Sequence, residues 1–383
     1  MNQEIIIRQA CPGDDSAVKK VAQSLDVGEY FFAYLSYKTQ RNSSLVAVLN
    51  EQIVGCVVLK FFTVGKKDKM GLIDWIFVDR NFRGIGASKK LADAAIAHFQ
   101  KSERDTCFAL VDRYNSPAWN MLVHRGFAPF EIDEQFRWSG RKTLSLWIKL
   151  SLYFAPGHFI LRKVIKEDTV SEDGVPGKAE VTGGFGKLSH SIIAWLGISL
   201  IFLPLFYTSM RGGIPLIAIP YLFAVVGISI FLHELSHKLA ANRLGLKTVF
   251  KAWESGLLFG SLLILLGGGR MFYPAYGSTF IAKKDWAYHK DLAQTGLIYV
   301  TGPLASLLLA SIFLVLELAS NNGLLMMISE IGFLANYFIA AVNLIPVYPF
   351  AIFDGRKIFL WNKAVWLLLV AWTVILISAK LAW

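Results

Sequence analysis

Cysteine is scarce in this chain. Three occur in 383 residues, Cys11, Cys56 and Cys107, and their spacing fits neither a zinc knuckle nor a disulfide framework. A small disulfide scaffold is excluded, and a reducing compartment suits the thiols. Charge is scarce too: 17% of residues are Asp, Glu, Lys or Arg, against 54% hydrophobic. That balance excludes a disordered chain. The shortage is uneven, because residues 1–150 hold 21 of the 39 Lys+Arg and 16 of the 28 Asp+Glu. Residues 151–383 have little charge and carry apolar runs too long for soluble strands. The net charge of +11 can mark a nucleic-acid binder. Here the basic residues of the second part fall between apolar runs, as in membrane loops, so no nucleic acid is expected. Met1 to Pro12 has no apolar core segment, so no signal peptide is expected.

The first part alternates strand-like and helix-like stretches. Glu4–Arg8, Ser44–Val54, Ile53–Phe62, Met70–Val78 and Cys107–Val111 read as strands, with a turn at Asn50-Glu51-Gln52. Ala87–Phe99 and Ser116–Arg125 read as helices, the second capped by Gly126. Phe136–Leu152 reads as a last hairpin or pair of strands. The expected organisation is a mixed α/β domain over 1–152, a polar linker over 153–190 and an all-α polytopic membrane domain over 191–383. About five spans are expected: Ser191–Tyr207, Ile214–Leu232, Leu297–Leu316, Leu324–Pro346 and Ala364–Ser378. A span needs about 20 apolar residues, so the shorter Ser255–Gly269 is expected to dip and return, within a re-entrant region 255–282.

The second span runs into His233-Glu234-Leu-Ser-His237. Residues four apart share one helix face, so both imidazoles reach one cation. Glu234 sits one step round, placed to take a proton from a water at that cation. Zinc suits imidazole, and ionisable residues closing an apolar run are costly and usually functional. The plainer alternative is a helix end entering the interface. Catalytic zinc wants a third protein ligand, and the candidate is Asp354, in an Asp-Gly pair after the prolines Pro346 and Pro349. Its plainer alternative is a turn outside the membrane.

His233-Glu234-x-x-His237 ending one apolar helix, with a distant Asn343-x-x-Pro346 and Asp354-Gly355 ending another, resembles the site-2 protease family of intramembrane zinc metalloproteases. The resemblance covers roughly residues 190–383. It implies Zn2+ on His233, His237 and Asp354, Glu234 as base, and Asn343 holding the substrate carbonyl. Eleven positions separate Asn343 from Asp354, about three more than the family pattern. Thr301-Gly302-Pro303-Leu304-Ala305-Ser306 resembles a Gly-Pro segment of the same family. Topology bears on the site as well. If 255–282 returns to the side it left, Lys283, Lys284, Lys290, Arg356, Lys357 and Lys363 share one side and Asp354 can meet the histidines. Gly267–Ile281 is then expected as an extended hairpin whose edge holds an unwound substrate by strand addition, a surface loop being the alternative.

In the first part, Arg83-Gly84-Ile85-Gly86-Ala87-Ser88 joins a strand to a helix. Glycines let a phosphate approach the backbone, and free N–H groups at the helix start bind anions. Alone such a loop is often just a turn. With Asn115-Ser-Pro-Ala118 and Gly126-Phe127 downstream, residues 4–150 resemble the GNAT acetyltransferase family. That implies acetyl-CoA on Arg83, Gly84, Ile85, Gly86, Ala87, Ser88 and Asn115, and a cytosolic N-terminal domain. Two departures stand out: Ser88 replaces the usual Gly or Ala, and Leu122 stands where many members carry a tyrosine acid. Asp74 is the one carboxylate within Leu72–Val78 that could act as base.

Together these features predict an intramembrane zinc metalloendopeptidase acting on membrane-protein substrates in the lipid bilayer. The fused domain binds acetyl-CoA, and acetylates an amine or regulates the protease. One alternative is a membrane-anchored N-acetyltransferase whose membrane part is only an anchor; another is a metal transporter using the same ligands.

Overall fold

A computed structural model of the chain describes residues 4–25, 27–65, 68–112, 115–152, 157–165, 188–209, 215–271, 273, 275–282, 291–346 and 353–382. It divides into two compact units, Met1–Leu150 with His158–Ala179, and Ser151–Gly157 with Glu180–Trp383.

The first unit runs β1 (Ile6–Gln9), α1 (Asp15–Gln23), α2 (Val27–Gln40), β2 (Leu45–Leu49), β3 (Gln52–Val64), β4 (Asp68–Val78), α3 (Ala87–Lys101), β5 (Thr106–Asp112), α4 (Ser116–Val123), β6 (Ala128–Pro129), α5 (Ile132–Ser139), α6 (Thr143–Lys149) and β7 (His158–Val164). The strands form one sheet in the order β1-β2-β3-β4-β5-β7-β6. Asn50 and Glu51, at φ +46 and +64, make the tight β2–β3 turn whose twist suits a hairpin. Among the described strands only β4 and β5 pair in parallel, and α3 is the crossover between them. Leu91, Ala92, Ala95 and Phe99 of α3 are buried at helical spacing. Phe99 lies over Gly71, where an added Cβ would fall 2.5 Å from its ring.

The β4–β5 pairing runs from Met70–Thr106 to Ile73–Ala109 and stops. Beyond it β4 stays with β3 and β5 with β7, so the two parallel strands part at the level of Asp74. The β3–β4 ladder shifts register there, between Val58–Trp75 and Leu59–Ile73, which leaves Asp74 as the extra residue of a bulge.

Two expectations need correction. Phe136–Leu152 is helical, not a hairpin: Leu146, Trp147 and Leu150 are buried together at a helical spacing, where a strand would alternate. The last strand, β7, lies beyond residue 152 and pairs along the whole of β5, so the first unit continues past the expected boundary. Of the expected linker, 153–156 and 166–187 lie outside the described residues.

The second unit runs α7 (Leu188–Ser209), α8 (Ala218–Arg243), β8 (Thr248–Ala252), α9 (Glu254–Leu266), β9 (Gly277–Ile281), α10 (Leu292–Tyr299), α11 (Thr301–Ala319), α12 (Gly323–Asn343), α13 (Asp354–Trp361) and α14 (Lys363–Ala382). Among the described residues, five helical stretches are long and apolar enough to cross a membrane: His190–Tyr207, Ala218–Arg243, Leu292–Ala319, Gly323–Asn343 and Lys363–Ala382. Their order matches the sequence expectation. The third combines α10 and α11, which break at Val300; Pro303, lacking an N–H, sits in the first turn of α11 where none is needed.

The 13 residues of α9 extend about 20 Å, short of a hydrocarbon core of about 30 Å. β8 and β9 pair antiparallel, with Ala252 opposite Gly277, so the chain between them returns to the place it left. Gly256 permits this fold-back, because a Cβ there would fall 1.8 Å from the Ala275 carbonyl oxygen. The expected hairpin within 267–281 is therefore corrected: the partner of β9 is β8, on the other side of α9. Around this, α7, α8 and α12 share one core of Ile198, Phe202, Leu222, Val226, Ile331 and Ile339.

Candidate metal centre

The C-terminal half of α8 carries His233 and His237 on its buried face, each 1% exposed. Asp354, 3% exposed, is the first residue of α13. Gly355 beside it fits against the end of α12, since a Cβ there would fall 2.3 Å from the carbonyl of Leu344. This close approach brings the end of one long helix to the side of another. Asp354 Oδ2 lies 3.2 Å from His233 Nε2 and 3.3 Å from His237 Nε2. The three side chains are the one group of His, Cys, Asp and Glu among the described residues able to share an ion, with ligand atoms within 4.8 Å of one another.

These distances test the fit of zinc. Ligands at 2.0–2.2 Å from a tetrahedral ion are separated by about 3.3–3.5 Å. The two observed separations match that edge. The far side of each ring is also arranged as a metal-binding imidazole requires. His237 Nδ1–H donates to the Ile298 carbonyl at 2.9 Å, and His233 Nδ1 meets Ser306 Oγ at 2.9 Å. Both bonds leave Nε2 for the cation. Asp354 Oδ1 faces the buried Lys357 ammonium at 3.8 Å, which itself lies 3.8 Å from the centre of the Tyr299 ring. Gly302 closes another side: a Cβ there would sit 2.3 Å from His237 Nε2 and 2.5 Å from His233 Nε2, in the space an ion needs.

Glu234 is one residue round the helix. Its Oε2 is buried and makes no hydrogen bond of good geometry, and neither does the hydroxyl of Tyr276. Asn343 is buried at the end of α12, but its amide donates along its own helix to the Ile339 carbonyl at 2.9 Å. Residues 347–352, including Pro349, lie outside the described residues, as do Lys283, Lys284 and Lys290. Sequence reading missed Ser306, the Ile298 carbonyl, Tyr299 and Lys357. Ser306 and Gly302 fell within the segment noted for its resemblance to a Gly-Pro segment of the family; nothing local says which side chain it meets.

The strand edges beside this centre are partly occupied. Trp253 N–H donates to the Tyr276 carbonyl at 3.1 Å, which sets the alternation of inward and outward groups. The outward Thr279 carbonyl takes the Tyr299 hydroxyl at 2.7 Å, and the outward Ala252 N–H meets His190 Nδ1 at 3.3 Å.

In the first unit, Gly84 and Gly86 both have φ +88, and a Cβ on either meets nothing within 4 Å. Their glycines serve backbone conformation, not space. Gly86 is the residue before α3, so Arg83, Ile85, Ala87 and Ser88 lie at a helix N-terminus that has no side-chain cap. Asn115 caps α4, its side chain accepting from Ala118 N–H at 3.2 Å. Leu122 is buried. Asp74 is held by Lys60 at 3.0 Å and by the Ser36 hydroxyl.

Comparison with known proteins assigns both units. Residues 16–127 match the acetyltransferase (GNAT) family model, and residues 221–322 match the model of peptidase family M50. A protein of Methanocaldococcus jannaschii, provisionally named a zinc metalloprotease, is 36% identical over 145 residues, which are 37% of this chain and 70% of that protein. The solved NatC complex bound to Gag peptide and CoA is 21% identical, covering 42% of this chain and 98% of its own, with a TM-score of 0.32. An N-acetyltransferase from Thermoplasma acidophilum in complex with coenzyme A is 17% identical, covering 42% and 99%, with a TM-score of 0.30. The M50 match includes His233, Glu234 and His237 but ends before Asp354. On the relative's identity and coverage, and on these two matches, the chain belongs to peptidase family M50, the intramembrane metalloproteases, and carries a GNAT acetyltransferase domain at its N-terminal end.

Proposed function

We propose that this protein is a zinc endopeptidase that cuts peptide bonds within or beside membrane-spanning segments of other proteins. The observation that carries it is Asp354 Oδ2 lying 3.2 and 3.3 Å from two imidazole nitrogens, although His233 and Asp354 are 121 positions apart in the chain. Three buried ionisable side chains with no other purpose would be a large cost in an apolar bundle. That cost argues against a membrane part serving only as an anchor.

His233, His237 and Asp354 would hold Zn2+, which when bound supplies a polarising positive charge that makes a water acidic near neutral pH. Glu234 takes the proton of the attacking water and returns it to the leaving amine. Ser306 and the Ile298 carbonyl keep the rings turned with Nε2 inward. A substrate helix must unwind first, because its scissile carbonyl is otherwise engaged in helical hydrogen bonds. The β8–β9 sheet offers strand edges for the unwound segment, limited on each side by the occupied Thr279 and Ala252 groups. Asn343 would need to leave its own helix to hold a substrate carbonyl.

The N-terminal domain would bind acetyl-CoA, its pyrophosphate on the loop from Arg83 to Ser88. The support is the pair of left-handed glycines at the α3 N-terminus and the parting of β4 from β5 above Ile73. With Leu122 apolar and Asp74 tied to Lys60, regulation of the protease by acetyl-CoA fits these residues better than acetyl transfer to an amine. This domain would face the cytosol.

Glu234→Gln tests the assignment. It should abolish cleavage of a co-expressed single-span membrane protein while bound zinc stays at one ion per chain. Cleavage at the wild-type rate would remove the reading.

A further inference from the structure

We infer that the hydroxyl of Tyr276 is a catalytic hydrogen-bond donor, aimed at the carbonyl oxygen of the bond being cut. The inference rests on the peptidase reading above and deepens it.

Tyr276 stands at the base of the returning segment, one residue before β9. Its ring is 2% exposed and packs into the core shared by α7, α8 and α12. Phenylalanine would fill that space equally well. The hydroxyl instead costs free energy, because it is buried and makes no hydrogen bond of good geometry, with the Glu234 carboxylate as a loose neighbour. Such a group is retained where an acceptor arrives during function. Its neighbours indicate the place: the phenol lies within loose hydrogen-bonding reach of Glu234 and within electrostatic reach of Asp354. Glu234 Oε2 and Trp253 Nε1 are further buried polar atoms here that make no well-formed hydrogen bond.

The backbone fixes the position. Trp253 N–H holds the Tyr276 carbonyl at 3.1 Å. The Trp253 ring packs 6.1 Å from that of Phe353, the residue before Asp354. Gly277 brings the strands close, since a Cβ there would meet the Lys251 carbonyl at 2.5 Å. A donor held rigidly in an apolar shell, facing an acceptor that gains charge only as the reaction proceeds, stabilises the transition state without stabilising bound substrate.

The step balances without a further reagent. The oxygen of water bonds to the carbonyl carbon, its proton passes to Glu234, and the π pair moves onto the carbonyl oxygen. Tyr276 donates a hydrogen bond to that oxygen and keeps its proton. The C–N bond then breaks as Glu234 protonates the amine, giving a carboxylic acid and an amine, which exchange a proton to become a carboxylate and an ammonium.

The test is Tyr276→Phe in the full-length protein in detergent micelles, with a purified single-span membrane protein as substrate. The expected result is a fall in kcat of roughly a hundredfold with KM and bound zinc unchanged. Affinity for a phosphinic peptide, whose second oxygen occupies the place of the developing oxyanion, should fall by a similar factor. Wild-type turnover in the Phe variant overturns the inference. So does a loss of turnover without loss of phosphinic affinity, which would mean that the phenol acts by orienting Glu234. If the Phe variant fails to fold, 3-fluorotyrosine at 276 keeps the shape and makes the O–H more acidic; unchanged phosphinic affinity there also overturns it. Neither outcome touches the peptidase reading, which falls only if Glu234→Gln still cleaves.

Discussion

Each unit encloses one aspartate side chain at a candidate site, and the two are treated differently. Asp74 sits at a bulge in β4, beside the place where β4 and β5 part. Lys60 and the Ser36 hydroxyl occupy it, so its charge is spent on structure. Asp354 has the Lys357 ammonium at 3.8 Å on one oxygen, and its other oxygen faces two imidazoles whose outer nitrogens are already engaged. A buried carboxylate is stable in either setting, but only the second leaves its lone pairs turned toward a shared cavity. The lesson is that burial alone does not mark a reactive carboxylate. What distinguishes the two is whether the surrounding donors complete the site or leave it for a ligand.

The sharpest way to break this comparison is at Gly302. A methyl group there would stand 2.3 Å from His237 Nε2, so Gly302→Ala should empty the centre, with bound zinc by elemental analysis falling below about a tenth of wild type. Normal zinc content would mean the ion does not sit between the rings. A smaller effect is expected at Ser306. Removing the Ser306 hydroxyl frees the His233 ring, and Ser306→Ala should weaken zinc binding roughly 10–100-fold in a competition assay with a chelating dye.

On the other unit, Gly86→Ala forces a side chain into the left-handed region at φ +88. The strain should cost about 1–2 kcal/mol and distort the start of α3, lowering acetyl-CoA affinity in calorimetry about tenfold or more. The smallest effect concerns Asp14. The Arg8 guanidinium at 2.7 Å, and then the Cys11 backbone N–H, hold its carboxyl down to about 2. A carboxyl whose folded pKa lies below its unfolded one stabilises fully above about pH 4, and that contribution disappears as pH falls toward 2. Because Arg8 is 43% exposed, screening leaves about 1 kcal/mol. Asp14→Asn should lower the Tm of the N-terminal transition slightly at pH 7 and leave it unchanged near pH 2, by calorimetry.

Much of the fold was legible. The five apolar stretches, the short segment at 255–269 and the helix at Ala87 follow from run length and period, which are local properties. Phe136–Leu152 misled because Phe136 and Trp138 alternate with polar residues over a short stretch, while the burial of Leu146, Trp147 and Leu150 depends on neighbours distant in sequence. Helix α2 went unread for a similar reason: in Val27–Gln40 aromatic residues are spread round the helix, and no single stripe announces its inner face. β9 was read to pair within its own loop, when its partner lies before α9.

By itself the sequence determined which residues could hold an ion on one face of α8, where glycine had to turn the chain, and which runs suit lipid. Those follow from spacing along a single element, where bond geometry fixes what lies beside what. Only the tertiary structure decided that Asp354 completes the group, that Ser306 and Ile298 set the rings, and that the Tyr276 hydroxyl waits without a well-formed hydrogen bond. Each of these joins segments 40 or more residues apart, and the packing that unites them is set by helix faces and close glycine contacts between elements, which no local pattern encodes.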